Sequence, residues 1–215
     1  IADNVSNPNK GVIQVTIGGN NVYENVEIDY RMSSLKAKDI LAILNGEKSE
    51  SLPTVIESTE NDNLFVFWSG HGVPGAMCWD EEPYAMTGDD LSTVFKDMNL
   101  KRRYRKLLMM VEACFSGGVM KQCEGIPGML FVTAANGDET SKADVFNSEM
   151  KVWMSNRFTS TFIEQITDNK EVAMRDLYYR LFINTVGSHV MVYNAENYGN
   201  LYSANMSEFI NSIVR

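Results

Sequence analysis

Residues 64–72 read LFVFWSGHG and residues 107–118 read LLMMVEACFSGG, and these two stretches decide the fold. In each, a continuous apolar run gives way to a loop of small residues, a pattern typical of a parallel strand covered on both faces. The first loop carries His71, one of two histidines in the chain, and the second carries Cys114. Reactive groups gather at the carboxyl ends of strands in open α/β sheets, so we expect this fold to bring the two residues together.

Amphipathic helical patterns alternate with these strands. Ser33-Ser34 is predicted to cap one helix, and Thr87 opens another with a capping box completed by Asp90. The other predicted elements are extended segments at 12–17 and 22–28, a strand at 129–133, a helical stripe of Phe158, Phe162, Ile163 and Ile166, a second stripe of Leu177, Leu181, Phe182 and Val186, a last strand at 189–193 and a closing helix at 207–214. This order predicts an α/β fold with a mostly parallel central sheet and helices on both faces.

Length and composition narrow the class of protein. The chain has 215 residues, of which 44% are hydrophobic and 22% charged, so we expect a single domain over residues 1–215. The formal net charge of −9 argues against a nucleic-acid partner, which would need a basic stripe rather than the single cluster at 101–106. No apolar stretch approaches the roughly 20 residues of a membrane-spanning helix, so no membrane span is expected in this chain.

The residue types around Cys114 suit a nucleophile. A thiolate attacks best from an exposed position with a base beside it, and the small residues at 116–118 let main-chain amides approach a developing oxyanion. Gly72, next to His71, could donate a second amide. An inert buried thiol, the commonest state of a free cysteine, fits Cys114 equally well from chemistry alone. The glycines on both sides of His71 favour a functional residue over an ordinary loop histidine.

Competing uses of the same residue types are weaker. His189 opens an apolar run without flanking glycines, and we interpret it as structural. A metal site built from His71, Cys78, Cys114 and Cys123 lacks any CxxC or HxxxH spacing, so no metal is expected. Three cysteines allow at most one intrachain disulfide, and the count leaves the redox state of Cys78 and Cys123 open.

The motifs SGHG at 69–72 and EACFSG at 112–117 resemble the two catalytic blocks of the legumain family of cysteine peptidases, which have a caspase-like fold. VTAAN at 132–136 and ETS at 139–141 resemble that family's substrate-pocket strand and loop, and SHVM at 188–191 resembles its last sheet strand. The similarity covers nearly the whole chain and extends to the catalytic subunit of the GPI transamidase. It implies a three-layer αβα sandwich of the caspase or haemoglobinase type.

The resemblance also implies roles for residues. Cys114 would be the nucleophile and His71 its acid/base partner. The main-chain amides of Gly72 and Cys114 would form the oxyanion hole. No cofactor is implied, because side chains and amides suffice for this chemistry.

The same resemblance assigns a substrate pocket. Glu112, Thr140 and Ser141 would bind the substrate, lining the S1 pocket or its loop. Asn156 falls where the family holds a further S1 aspartate. This departure replaces a charge by a neutral amide and weakens the expectation of strict asparagine or aspartate at P1.

The expected function is a cysteine endopeptidase that hydrolyses peptide bonds through an acyl-thioester. It would act on a peptide or protein substrate, with asparagine, aspartate or another small polar residue at P1. A transamidase or peptide ligase on the same fold is the first alternative. A catalytically inactive peptide-binding module is the second, and the presence of both Cys114 and His71 speaks against it.

An element of the family pattern is absent from the sequence. The family's first strand and helix, which carry an asparagine that orients the catalytic histidine, precede the part that this chain matches. Ile1 would lie in the loop after the family's second strand and resembles a processing product. We therefore expect a heavy chain that stays associated with an N-terminal light chain of the same precursor, with self-cleavage as a hypothesis. The processed start and the resemblance favour a location outside the cytoplasm.

Overall fold

A computed structural model describes residues 7–14, 18–79, 82–148 and 151–210. In chain order its strands are β1 (Asn63–Ser69), β2 (Gly72–Val73), β3 (Ala76–Trp79), β4 (Glu82–Thr87), β5 (Lys106–Glu112), β6 (Met129–Thr133), β7 (Ala143–Asn147), β8 (Val152–Asn156) and β9 (Met191–Tyr193). Its α-helices are α1 (Ala37–Asn45), α2 (Gly88–Leu100), α3 (Ser116–Met120), α4 (Arg157–Asp168), α5 (Met174–Asn184), α6 (Ala195–Tyr198) and α7 (Ser207–Ile210).

A four-stranded sheet in the order β1-β5-β6-β9 forms the centre of the molecule. β1 and β6 both pair with β5 in parallel, and β9 runs antiparallel to β6. The prediction of a mostly parallel central sheet is confirmed. Two smaller antiparallel sheets, β2-β3-β4 and β7-β8, follow the carboxyl ends of β1 and β6 in the chain.

Alternate residues of β5 face two separate hydrophobic cores. Leu107, Met109 and Val111 pack with apolar residues of α1, α2 and α3. Leu108 and Met110 point the other way and pack with apolar residues of α4, α5, α6 and α7. Each of these five side chains is at most 1% exposed. Helices therefore cover both faces of the sheet, which confirms the three-layer αβα sandwich.

The connection from β4 to β5 runs through α2, whose start is capped as the sequence predicts. The Asp90 N–H donates to Thr87 Oγ1 at 3.2 Å, and Asp90 Oδ2 accepts from the Thr87 N–H at 3.0 Å. This reciprocal capping box satisfies two donors at the helix start. Among the helices of the described residues, none is long and apolar enough to cross a membrane.

Two predictions near the amino end are wrong. Residues 22–25 form turns and 26–28 belong to no strand, so the predicted segment at 22–28 is not extended sheet; residues 15–17 of the segment at 12–17 lie outside the described part. Ser33 and Ser34 lie in a short 3₁₀ helix, and α1 starts only after Lys36, whose N–H donates to Asp39 at 2.8 Å. The Asp39 carboxylate thus replaces the predicted serine cap.

Differences in the carboxyl-terminal half have a packing reason. Phe182 and Val186 are 47% and 70% exposed, because the inward face of α5 is formed by Met174, Leu177 and Leu181. The β7–β8 hairpin was not predicted from the sequence. The last strand is shorter than expected, and of the predicted closing helix the structure describes residues 207–210.

Candidate active site

The carboxyl ends of β1 and β5 lie side by side and lead into the two predicted reactive residues. Ser69 pairs with Glu112 at the end of the parallel ladder, and the Gly70 N–H donates to the Glu112 carbonyl at 3.0 Å. His71 and Cys114 each follow two positions after this last pair. The paired strands therefore deliver the histidine loop and the cysteine loop to the same edge of the sheet.

The two loops meet at Gly72. A Cβ atom on this residue would lie only 2.1 Å from the Cys114 carbonyl oxygen, so any side chain here would force one of the two loops to move. The Cys78 N–H donates to the His71 carbonyl at 2.9 Å, and Gly72 is paired with Met77 in the β2–β3 ladder. Bonded and non-bonded pairs alternate in an antiparallel ladder, so the Gly72 amide points away from β3.

Cys114 is half-buried at an abrupt turn between β5 and α3. The next residue, Phe115, has φ 56° and ψ 15°, a left-handed conformation that non-glycine residues seldom adopt. Its N–H donates to the Glu139 carbonyl at 2.8 Å. Cys114 Sγ lies 3.8 Å from Ser141 Oγ, and the His71 residue is exposed. Backbone strain at a turn of this kind is typical of functional sites.

Glu112 is a buried acid at the end of β5, only 1% exposed. Its Oε2 accepts from both the N–H and the Oγ1 of Thr159 in the first turn of α4, each at 3.0 Å. Its Oε1 has no hydrogen-bond partner among the described residues. Burial raises the pKa of the Glu112 carboxyl, and the two bonds from Thr159, with a smaller contribution from the Ser141 side chain, oppose that rise only in part. The carboxyl thus retains an unused acceptor beside the cysteine loop.

The other predicted substrate-binding residues lie in the β6–β7 loop (residues 134–142) and at the end of β8. Ser141 is half-buried beside the thiol, whereas Thr140 is exposed and its Oγ1 accepts from Lys142 at 3.0 Å. Asn156 pairs with Ala143 across the β7–β8 hairpin and immediately precedes α4. Its side chain makes no capping bond to that helix.

Sequence reasoning missed three features of this region. Thr159 donates two hydrogen bonds to Glu112. The sequence does not indicate this contact, because a hydroxyl in the first turn of a helix says nothing about an acid far away in the chain. Glu139 contacts both Phe115 and His189, a pairing that needs two segments remote in the chain. Cys78 lies opposite His71 because the tight turn after β2 folds back, and the PG pair at 74–75 is the signal that could have placed it there.

None of the three cysteines, all of which lie in the described part of the chain, forms a disulfide. Burial raises the pKa of the Cys123 thiol to about 12, and this residue is fully buried. Burial also raises the pKa of Cys78, and the negative charge of a Cys114 thiolate adds to that rise. Within the described ranges, no group of three or more histidine, cysteine or acidic residues could hold a metal ion.

Comparison with known proteins gives a consistent result. Legumain from Rattus norvegicus is 28% identical over 199 residues, which is 90% of this chain and 45% of that protein. Hemoglobinase from Schistosoma mansoni is 34% identical over 145 residues, covering 66% of this chain and 32% of that protein. Vacuolar-processing enzyme from Ricinus communis is 35% identical over 148 residues, covering 66% and 29%. The chain spans less than half the length of these relatives.

The family assignment rests on nearly the full sequence. Residues 1–209 match the Peptidase C13 family, a range that includes the histidine loop, the cysteine loop, the β6–β7 loop and β9. The arrangement of a parallel sheet with these loops at its carboxyl edge agrees with the caspase-like fold expected of the family. The chain belongs to the peptidase C13 family.

Proposed function

We propose that the protein is a cysteine endopeptidase in which Cys114 is the nucleophile and His71 its acid/base partner. The observation that carries this proposal is the contact between the two loops, in which Gly72 lies against the Cys114 carbonyl at the paired ends of β1 and β5. A histidine and a cysteine on adjacent parallel strands can act on one substrate carbonyl between them. The names of the C13 relatives, which include a processing enzyme, support the same class of reaction.

The proposed reaction has two steps. His71 takes the proton of the Cys114 thiol, and Sγ attacks the carbonyl carbon of the scissile bond. As the C–N bond breaks, His71 gives that proton to the leaving amine nitrogen. A water molecule then loses a proton to His71, and its oxygen attacks the thioester carbon. As the C–S bond breaks, His71 returns the proton to Sγ, which leaves the carboxylic acid and the free thiol. The main-chain amides of Gly72 and Cys114 would donate to the oxyanion formed in each step. The orientation of the Gly72 amide away from β3 supports its part in this role.

Glu112, Ser141, Thr140 and Asn156 are proposed to bind the P1 residue. Glu112 Oε1 is buried and unpaired among the described residues, so a donor on the P1 side chain would gain a strong partner there. An amide at Asn156, rather than a carboxylate, adds both a donor and an acceptor. We therefore propose asparagine, aspartate or another small polar residue at P1, with asparagine favoured because its amide nitrogen can donate to Glu112.

We also propose that this chain works with a further segment of the same precursor. β1 forms one edge of the described sheet, and its side chains Phe65 and Phe67 are only partly buried. A strand added there would form hydrogen bonds with the unpaired main-chain N–H and C=O groups along the outer edge of β1 and cover these rings. The vacuole in the name of one relative supports a location outside the cytoplasm.

Cleavage of a fluorogenic peptide library by the complete protein tests the proposal, with Cys114→Ala as the inactive variant and Cys123→Ala as the matched control. We expect cleavage by the wild type and the control and none by Cys114→Ala. Equal cleavage by wild type and Cys114→Ala would overturn the assignment of the nucleophile. Peptide binding without any cleavage by the wild type would favour the inactive binding module.

A further inference from the structure

One carboxylate outside the proposed dyad ties three segments together. Glu139 Oε1 accepts from the main-chain N–H of Asn136 at 3.1 Å and from that of His189 at 2.6 Å. Its Oε2 lies 2.9 Å from Nδ1 of the His189 ring. The side chain of Glu139 thus closes the β6–β7 loop on itself and fastens it to the segment that enters β9.

The main chain of Glu139 reaches the cysteine loop directly. Its carbonyl accepts from the Phe115 N–H, and Phe115 is the left-handed residue that follows Cys114. Two residues further along, Ser141 Oγ lies 3.8 Å from Cys114 Sγ. A displacement of Glu139 would therefore move both the turn after the nucleophile and one wall of the substrate pocket.

The surroundings of Glu139 and His189 stabilise the charged form of the Glu139 carboxyl. The side chain of Glu139 is 22% exposed and that of His189 is 68% exposed, so the imidazole faces solvent and the carboxylate lies beneath it. Burial works to raise the pKa of the Glu139 carboxyl, but hydrogen bonds from the His189 ring, the His189 N–H and the Asn136 N–H hold it below its ordinary value. The carboxylate is therefore ionised, with a main-chain donor for each segment that it joins.

We propose that Glu139 is a positioning residue for the reaction at Cys114, and that His189 fixes its orientation. The pair fixes the position of the β6–β7 loop relative to the Phe115 turn, so that Ser141 and the Cys114 amide can both contact the substrate. The inference rests on the proposed peptidase function and deepens it. It assigns His189, which the sequence marks only as a strand residue, a place in the support of the site.

Three variants of the complete protein separate this role from a general loss of stability. Glu139→Ala removes every side-chain acceptor, and a displacement of the loop by 1 Å is expected to lower kcat/KM by about 10- to 100-fold. Glu139→Gln keeps an oxygen for both main-chain N–H groups and should stay within about threefold of the wild type. Asp138→Ala removes a neighbouring exposed carboxylate and is the matched control, with the same expectation.

The readout is the steady-state cleavage of peptides that differ only at P1, on protein whose folded fraction is set equal from thermal unfolding. A positioning role predicts that Glu139→Ala raises KM and reduces the discrimination between P1 residues. Loss of folded protein alone would lower the rate for every peptide equally and leave KM unchanged. That result, or a kcat/KM for Glu139→Ala equal to that of Asp138→Ala, would overturn the inference.

A double-mutant cycle tests the part of His189. His189→Ala keeps the main-chain N–H and removes the ring, so a loss of about three- to tenfold is expected, and adding it to Glu139→Ala should cost nothing more. Additive losses would show that the two residues act separately. If the wild type itself cleaves no peptide, the proposed function fails; if it cleaves and Glu139→Ala is unimpaired, only this inference fails.

Discussion

Gly72→Ala should lower the kcat/KM of the proposed enzyme by about 100-fold while leaving its fold intact. The added Cβ would lie 2.1 Å from the Cys114 carbonyl oxygen, whereas a carbon–oxygen contact needs about 3.3 Å, so one of the two loops has to move by about 1.2 Å. The neighbour is main chain rather than the end of a flexible side chain, and Ala113 Cβ is also only 3.4 Å away. The movement therefore changes the distance between His71 and Cys114, which lie in the two loops.

The expected size of the effect follows from this displacement. A misplacement of about 1 Å costs roughly 100-fold in rate, or about 2.7 kcal/mol of transition-state free energy. Overpacking at the same position should lower the free energy of unfolding by about 1–3 kcal/mol. A loss of kcat/KM near 100-fold in protein that still unfolds cooperatively is the predicted result.

Gly70→Ala is the matched control, because it lies on the other side of His71 in the same turn. The nearest atom to its added Cβ is Trp68 Nε1 at 3.4 Å, an ordinary contact. Peptide cleavage and thermal unfolding are measured on both variants in parallel. The reasoning is refuted if Gly72→Ala retains a kcat/KM within twofold of Gly70→Ala.

Three further predictions concern the thiols, the buried acid and a helix cap. Iodoacetamide at neutral pH should label Cys114 in the native protein and spare Cys123, whose pKa of about 12 keeps it protonated; peptide mass mapping checks this, and rapid labelling of Cys123 would contradict it. The raised pKa of Glu112 means that the folded state loses stability relative to the unfolded chain as pH rises above the ordinary carboxyl pKa. Glu112→Gln should therefore raise Tm more at pH 7 than at pH 4, and an equal change at both would refute the assignment. Thr87→Ala removes the α2 cap and should lower the free energy of unfolding by about 1 kcal/mol and Tm by about 2–4 °C. Calorimetry measures both values, and the control Thr93→Ala, at an exposed position of the same helix, should leave them unchanged.

Local signals were sufficient where one segment determines its own structure. The apolar runs before His71 and Cys114 predicted β1 and β5, and the spacing of Thr87 and Asp90 predicted the start of α2. The meeting of the two loops followed from a general rule about parallel strands, and the Gly72 contact agrees with it. The ends of β1 and β5 and the cap of α2 are short-range features, so the sequence contains them directly.

Other features depend on contacts between distant segments. Thr159 holds Glu112 across 47 positions, and His189 meets Glu139 across 50. The side of α5 that is buried depends on where the sheet lies, so Phe182 looked like a core residue and is exposed instead. The β7–β8 hairpin carries the exposed residues Phe146 and Trp153 and lacks the alternation of polar and apolar residues that marks a half-buried strand. The sequence therefore contains no periodic pattern from which the hairpin could be predicted.

The late position of His189 in the chain affects when the site is completed during synthesis. Translation runs from the amino end, so His71 and Cys114 leave the ribosome well before His189 does. Until then, Glu139 lacks both the main-chain N–H and the ring that hold it in the finished fold. A nascent chain thus carries its thiol and imidazole for some time with the β6–β7 loop unanchored. On the proposed function, growing chains and fragments that end before β9 are expected to be poor catalysts.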